Sequence, residues 1–218
     1  MALTYPLNVN QFFDDLNIRS GKFTLSESNQ NNINGGGHIL TASLGSRLWM
    51  GEATLVPAKH QELLVFEARI ELLLEPGASF IAYDKRVTYP KSDPTGSILG
   101  ASTPTLSVVN ANNVDVTIAG LPAGYVLTQG DMFDFTYLSS PTRRALHRIV
   151  AGATATGGGL ATVQVVPAIR AGFTIGAAVG FVKPNMKAKI IPGSYGYSEG
   201  GVGRLSSGAS FQFMQTLK

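Results

Sequence analysis

Three histidines are the residues most able to do acid–base or metal chemistry in this chain: His38, His60 and His147. They lie in three separate segments, and no H-x-x-x-H or H-E-x-x-H spacing joins them, so nothing argues for a zinc hydrolase. There is no G-x-S-x-G elbow to raise a serine nucleophile. His147 alternates between Leu146 and Arg148 in a strand-like run and reads as a hydrogen-bonded sheet residue. Nucleophilic catalysis needs a nucleophile, a base and an orienting group within reach, and no such grouping stands out.

The carboxylates offer a second route to chemistry. Asp131 and Asp134 flank Phe133, an odd separation that points them to opposite faces of a strand. They cannot work as a glycosidase pair in that arrangement. Asp14 and Asp15 are adjacent in a polar N-terminal turn, and Asp84 and Asp93 fall in a connector. Surface-loop roles are expected for these four, and no D-x-D-x-D-G calcium loop occurs. Tyr83, Tyr89, Tyr125, Phe133, Phe135 and Tyr137 could line a sugar-binding face, although core and turn packing would use the same residues. The expectation is a protein that is not an enzyme, with no catalytic, metal or cofactor site.

The elements that carry these residues read as mostly β. Gly (25) and Pro (11) punctuate short apolar runs, the pattern of an all-β chain. Strands are expected at residues 22–25, 38–42 and 47–56. The last of these has apolar residues on both faces, as in a strand at the middle of a sandwich or under a helix. Its Trp49, the single tryptophan, is expected in the core. Leu63, Phe66, Ile70, Leu73 and Leu74 recur at helical spacing, and Pro76 with Gly77 ends that helix. A strand follows at 79–83, then an irregular connector over 84–102.

From Thr105 the texture changes to short alternating runs: 105–109, 114–118, 131–138, 144–150, 160–166 and 177–182. Turns separate them every 8 to 12 residues or so, as in a small sandwich or barrel. Residues 186–191 alternate charged and apolar, a strand with one face in water. The apolar ending, Ala209, Phe211, Phe213 and Leu217, is expected to return to the N-terminal sheet. The chain is therefore divided into a discontinuous domain, 1–84 with 182–218, and an inserted β domain, 85–181. Two polar stretches, the Asn-rich 26–37 and the Gly-dense 193–203, read as a flexible loop or hairpin arm and a mobile loop.

Composition narrows the partners. The 218 residues carry a formal charge of +3, and only 14% are charged. Low charge beside 44% hydrophobic residues suggests a surface covered by partner subunits. No clustered basic patch marks nucleic-acid binding. There is no cysteine, which removes disulfides and thiolate metal sites and suits assembly in a reducing cytosol. The start reads as no signal peptide, and no apolar window of about 18 residues suggests a membrane span.

The order of several segments resembles the distal tail proteins of long-tailed bacteriophages and gene-transfer agents. These are GGHILTASLGSRLWMGEATL at 36–55, then the helix, FIAYD at 80–84, GLPAG at 120–124, GD at 130–131, RALHR at 144–148 and FQF at 211–213. The resemblance implies a tail-tube-like β-sandwich with one flanking helix, carrying an inserted OB-like or β-barrel-like peripheral domain. It further implies a structural virion protein that forms a hexameric ring at the distal tail end and joins the tail tube to the baseplate hub. The tape-measure protein would occupy the lumen, with no specific nucleic-acid binding. Two alternatives stay open: a carbohydrate-binding adsorption module of the tail tip, and a tail terminator or adaptor.

Overall fold

The computed structural model describes residues 3–201 and 204–218. Met1 and Ala2 of the N-terminal reading, and Val202 and Gly203 of the stretch 193–203, lie outside the described residues. The chain is mainly β, with one α-helix, His60–Leu74, among the described residues. That helix is not long and apolar enough to cross a membrane.

Five antiparallel strands make the first sheet, in the order Ile18–Leu25, Trp49–Leu55, Ser210–Gln215, Asn185–Ile190, Phe80–Tyr83. The C-terminal strand therefore returns to the N-terminal sheet, pairing Phe213 with Gly51 and Phe211 with Ala53. The alternation in these strands is one-sided. Trp49, Gly51, Ala53 and Leu55 are buried while Met50, Glu52 and Thr54 are half-buried. This corrects the expectation of a strand with two apolar faces: Met50 and Thr54 sit with Glu52 on the wetter side.

Leu63, Ile70 and Leu73 of the helix pack with Phe12, Phe13, Leu16, Phe80, Phe211 and Phe213 into the first core. Leu74 does not join them; it is exposed at the last turn. Gly77 takes up a left-handed φ of 90°, which lets the chain reverse after Pro76 into Phe80–Tyr83. Aromatic rings dominate this core. Phe12 meets Phe80 edge-on at 5.0 Å and Phe23 stacks on Trp49 at 5.4 Å.

The second sheet has six strands in the order Val179–Gly180, Met132–Tyr137, Arg143–Ala151, Ala161–Val166, Asp115–Ala119, Thr105–Val109. It curls strongly. The Leu106 amide donates to Ala177 O at 2.9 Å and the Val179 amide to Pro104 O at 2.9 Å, drawing its first and last strands together. A second core lies inside the curl, built from Leu106, Val116, Ile118, Phe133, Phe135, Ile149, Val163 and Phe181 among others.

Polar bonds sew the two sheets together. Trp49 Nε1 donates to Leu146 O at 2.7 Å, and Gln215 Nε2 donates to Arg144 O at 3.1 Å. Arg144 also donates to Asn185 Oδ1 at 2.8 Å. The Arg148 guanidinium lies 4.8 Å from the Trp49 ring centroid and 3.7 Å from Asp84 Oδ2.

Candidate functional site

Between Leu25 and Trp49 the chain leaves the first sheet and forms a two-stranded ribbon, Asn29–Ile33 against Ile39–Ser43. The turn is built by asparagine chemistry. Asn34 Oδ1 accepts the amides of Gly36 and His38, each at 3.0 Å, an Asx arrangement that asparagine supplies well. Gly37, at φ 78°, completes it. Farther down, Thr41 Oγ1 donates to Asn31 Oδ1 at 2.9 Å.

This ribbon belongs to neither large sheet, and all ten strand residues are exposed. Ile33, Ile39, Leu40 and Leu44 are exposed by 67, 68, 58 and 69%. A lone hairpin is marginal in water, and neighbouring apolar side chains left in solvent commonly mark an interaction surface. Residues 28–46 carry no Asp, Glu, Lys or Arg.

The base of this arm is fixed. The Leu44 amide donates to Ser28 O at 2.8 Å and Arg47 Nε to Ser26 O at 3.0 Å. Arg170 reaches from the second sheet's connections to donate to Arg47 O at 2.6 Å. A cavity of about 850 Å³ opens beside the base, lined by Ser43, Arg47, Val114, Val150 and residues 164–171. The arm is therefore held at its root and bare along its length. The alternative of an unstructured loop at 26–37 is replaced by the hairpin, and the strand expected at 38–42 is its second half.

The described residues of the Gly-dense stretch are hydrogen-bonded to their surroundings. Gly196 and Ser210 exchange backbone hydrogen bonds at 2.8 and 3.1 Å. Glu199–Gly200 pairs with Leu205–Ser207, which pairs in turn with Ala58–Lys59. Glu67 Oε1 accepts from the Ser198 amide and hydroxyl at 3.0 and 2.7 Å. Beside this small sheet the helix exposes Leu64 and Val65, with Leu205 and Val56 also half exposed or nearly so.

A second concavity, about 260 Å³, lies between the edges of the first sheet, where Arg19, Lys22, Glu52, Lys85 and Arg86 meet Tyr83. Asp14 is the hub nearby. It accepts from Tyr83 Oη and Lys183 Nζ, each at 2.7 Å. Burial works against its charge, but these two partners hold its carboxyl below the usual range. Burial raises the Tyr83 phenol, and the Asp14 charge raises it further. Burial lowers the Lys85 ammonium despite Asp14.

The candidate acid–base residues stay apart. His38 sits exposed at the tip of the arm. His60 opens the helix, its Nδ1 hydrogen-bonded to the Ser206 hydroxyl. That contact has two members of a nucleophile–base–acid series, yet Ser206 is buried and neither residue lines either cavity described above. The 146-residue separation left no local spacing from which to read it.

His147 is fully enclosed. Its ring stacks on Phe135 at 5.6 Å and 9°, its Nδ1 meets Pro167 O at 2.8 Å, and its Nε2 has no hydrogen-bond partner. Burial pushes it down to about 4, against the pull of the Pro167 carbonyl.

Four carboxylates are buried: Asp84, Asp93, Asp131 and Asp134. This corrects the surface-loop reading of Asp84 and Asp93. Asp84 is chelated by Arg86, whose Nε and terminal nitrogen lie at 2.9 and 2.8 Å. Asp93 folds the connector around itself, accepting the Ile98 and Leu99 amides at 3.2 and 2.8 Å. Burial opposes its charge, but those bonds and Tyr125 hold its carboxyl low. Asp131 accepts from the Lys91 and Thr128 amides at 2.8 and 2.7 Å. Asp134, with Arg144 at 3.6 Å, is pushed up to about 7 by burial. These carboxylates organise loops and the seam rather than converging on one another. Among the described residues, no group of three or more His, Asp or Glu side chains is placed to hold a metal ion.

Of the six aromatics that could form a sugar platform, Tyr83, Tyr125, Phe133, Phe135 and Tyr137 are buried, and Tyr89 is half-buried. The five buried rings pack the two cores. The most distinctive feature of the described surface is a rooted arm with no Asp, Glu, Lys or Arg over residues 28–46 and with Ile33, Ile39, Leu40 and Leu44 exposed. No protein-family model matches the chain, and no curated protein matches it.

Proposed function

We propose that the protein is a structural subunit of a long-tailed bacteriophage tail tip, a self-associating ring component that joins the tail tube to the baseplate hub. The observation that carries the assembly half of this reading is the arm outside both large sheets, whose Ile33, Ile39, Leu40 and Leu44 are exposed among the described residues. The placement at a tail tip rests on the resemblance of residues 36–55, 80–84, 120–124, 144–148 and 211–213 to distal tail proteins.

In this reading residues 1–84 and 182–218 form the tail-tube-like ring domain, and residues 85–181 form a barrel-like peripheral domain. The division of the side chains between two cores supports it: the first draws on residues 7–83 and 186–213 plus Met132 and Leu146, the second on residues 99–181. The second sheet's curl, with Leu106 and Val179 bonded across its ends, supports the barrel. The mechanism is geometric. Closing a ring covers apolar surface and sheet edges that would otherwise invite aggregation, and it leaves a channel for the tape-measure protein and then DNA. A six-fold ring is what the resemblance implies. The channel wall would not be a dense basic surface, since DNA must pass without sticking.

Native mass spectrometry tests the reading. A single dominant species whose mass is a fixed multiple of 23.0 kDa, six-fold on this account, supports it. A concentration-independent single chain counts against it.

A further inference from the structure

The arm and the exposed helix face occupy opposite ends of one strand pair. Leu25 pairs with Trp49 at the end where the arm departs, and Ile18 pairs with Leu55 at the end where the chain passes on to the helix. Seven residues of strand separate the two, about 20 Å at roughly 3.3 Å per residue. The arm is rooted by Ser26, Arg47 and Arg170 at the end of the strand pair away from the helix. A chain with two apolar surfaces at opposite ends can cover both by repeating head to tail.

The two surfaces also match in character. One face of the arm offers the cross-strand pair Ile33 and Ile39, with no charged side chain over residues 28–46. The face offers Leu64 and Val65 on the helix and Leu205 on the small sheet beside it, exposed by 59, 55 and 51%. Leu205 is brought there by its pairing with Lys59, the residue just before the helix. Exposed Lys59, Glu62 and Glu71 rim this patch, Lys59 opposite Leu205 and Glu62 one turn before Val65, so an uncharged ribbon can cover the apolar centre and leave that rim in solvent.

We propose that the Leu64–Val65–Leu205 face of each copy is the seat for the arm of the next copy. The contact is heterologous: arm on face, not arm on arm. Such contacts generate a ring when the rotation closes and a filament when it does not. A closed ring uses both surfaces of every subunit, and each chain is held on two sides by one kind of contact. The inference rests on the ring reading above and adds to it the receiving surface and the polarity.

The absence of cysteine makes a direct test possible. The double variant Ile39→Cys/Leu64→Cys, oxidised as the assembled protein, should give a ladder of covalent oligomers ending at the ring size. A control pair, Ile39→Cys/Val126→Cys, should give no ladder. The single variants Ile39→Cys and Leu64→Cys, co-assembled in equal amounts, should give covalent dimers and nothing larger. Val65→Cys and Leu205→Cys serve as second partners for Ile39→Cys should Leu64→Cys disturb the helix. Intact rings whose arm fails to crosslink to all three positions overturn the arm-on-face contact and leave the ring reading standing. A wild-type chain that never self-associates overturns both.

Discussion

Ile33 and Ile39 are cross-strand partners at the last rung of the arm, and each is about two-thirds exposed, at 67 and 68%. Two large β-branched residues facing each other usually anchor a sheet. Here they pair in open solvent, at the tip of a ribbon held only at its base among the described residues. Neither core includes them, and the proposed assembly gives them a use.

The first prediction follows from that separation of roles. Ile33→Asp/Ile39→Asp should change the unfolding free energy of the isolated chain by no more than about 0.5 kcal/mol per site, the usual range for exposed positions. The same variant should abolish self-association. Thermal unfolding and sedimentation on one preparation read both effects. A large drop in stability with assembly retained would show the arm to be a folding element instead.

A second prediction concerns the seam. Trp49 Nε1 donates to Leu146 O, and the Trp49 ring carries Arg148 on its face. Trp49→Phe keeps much of the apolar volume but removes the donor, leaving a buried carbonyl short of a partner. The expected cost is about 1–3 kcal/mol, seen as a lower denaturant midpoint. If the seam is what holds the two sheets to each other, limited proteolysis in the connector around residues 84–102 should also accelerate.

Gly51 sits between Phe23 and Phe213 on the neighbouring strands. A Cβ built on Gly51 would overlap the Phe213 ring, and that ring is enclosed by Phe13, Phe23, Phe80 and Phe211. Gly51→Ala should therefore destabilise by about 1–3 kcal/mol through overpacking. Phe213→Leu alone should cost a few kcal/mol through the lost ring. The double variant should cost clearly less than the two singles together, because removing the ring makes room for the methyl group. Simple additivity would contradict the packing argument.

Asp134 and His147 predict a pH profile that conceals two opposing slopes. His147 falls from an ordinary value of 6.5 to about 4 on folding. Its contribution is complete above 6.5 and is lost as pH falls toward 4. Asp134 rises from 3.8 to about 7. Its contribution is complete below 3.8 and is lost as pH rises through 7. Between pH 4 and 6.5 the two slopes, each about 1.4 kcal/mol per pH unit at most, nearly cancel. Asp134→Asn should unmask stability that rises with pH across this window, and His147→Phe should unmask stability that falls. Urea denaturation at several pH values separates them; identical profiles for both variants would contradict the assignment.

Much of the fold was legible from residue order. The helix came from Leu63, Ile70 and Leu73 at helical spacing, and the return of the terminal strand came from the alternation of Phe211 and Phe213. Both signals are local periodicities. What the sequence concealed depends on how the chain closes on itself. Asp84 and Asp93 look like loop carboxylates until Arg86, two residues on, and the Leu99 amide, six residues on, close on them. The exposure of Leu74 was hidden by its perfect helical spacing, because periodicity locates a stripe but not where a neighbour stops covering it. The arm was legible in part: the Asn-rich run with its three glycines announces a turn, whereas its freedom from both sheets is a matter of topology. The aromatics that suggested a sugar face were absorbed by two cores, and composition alone does not divide inside from outside.

The central claim is closed self-assembly through the arm, and negative-stain imaging of the purified protein beside its Ile33→Asp/Ile39→Asp variant tests it most directly. The account predicts uniform rings with a central channel for the wild-type chain and isolated subunits for the variant. Wild-type particles that remain single chains at every concentration, or rings that persist unchanged in the variant, would contradict it.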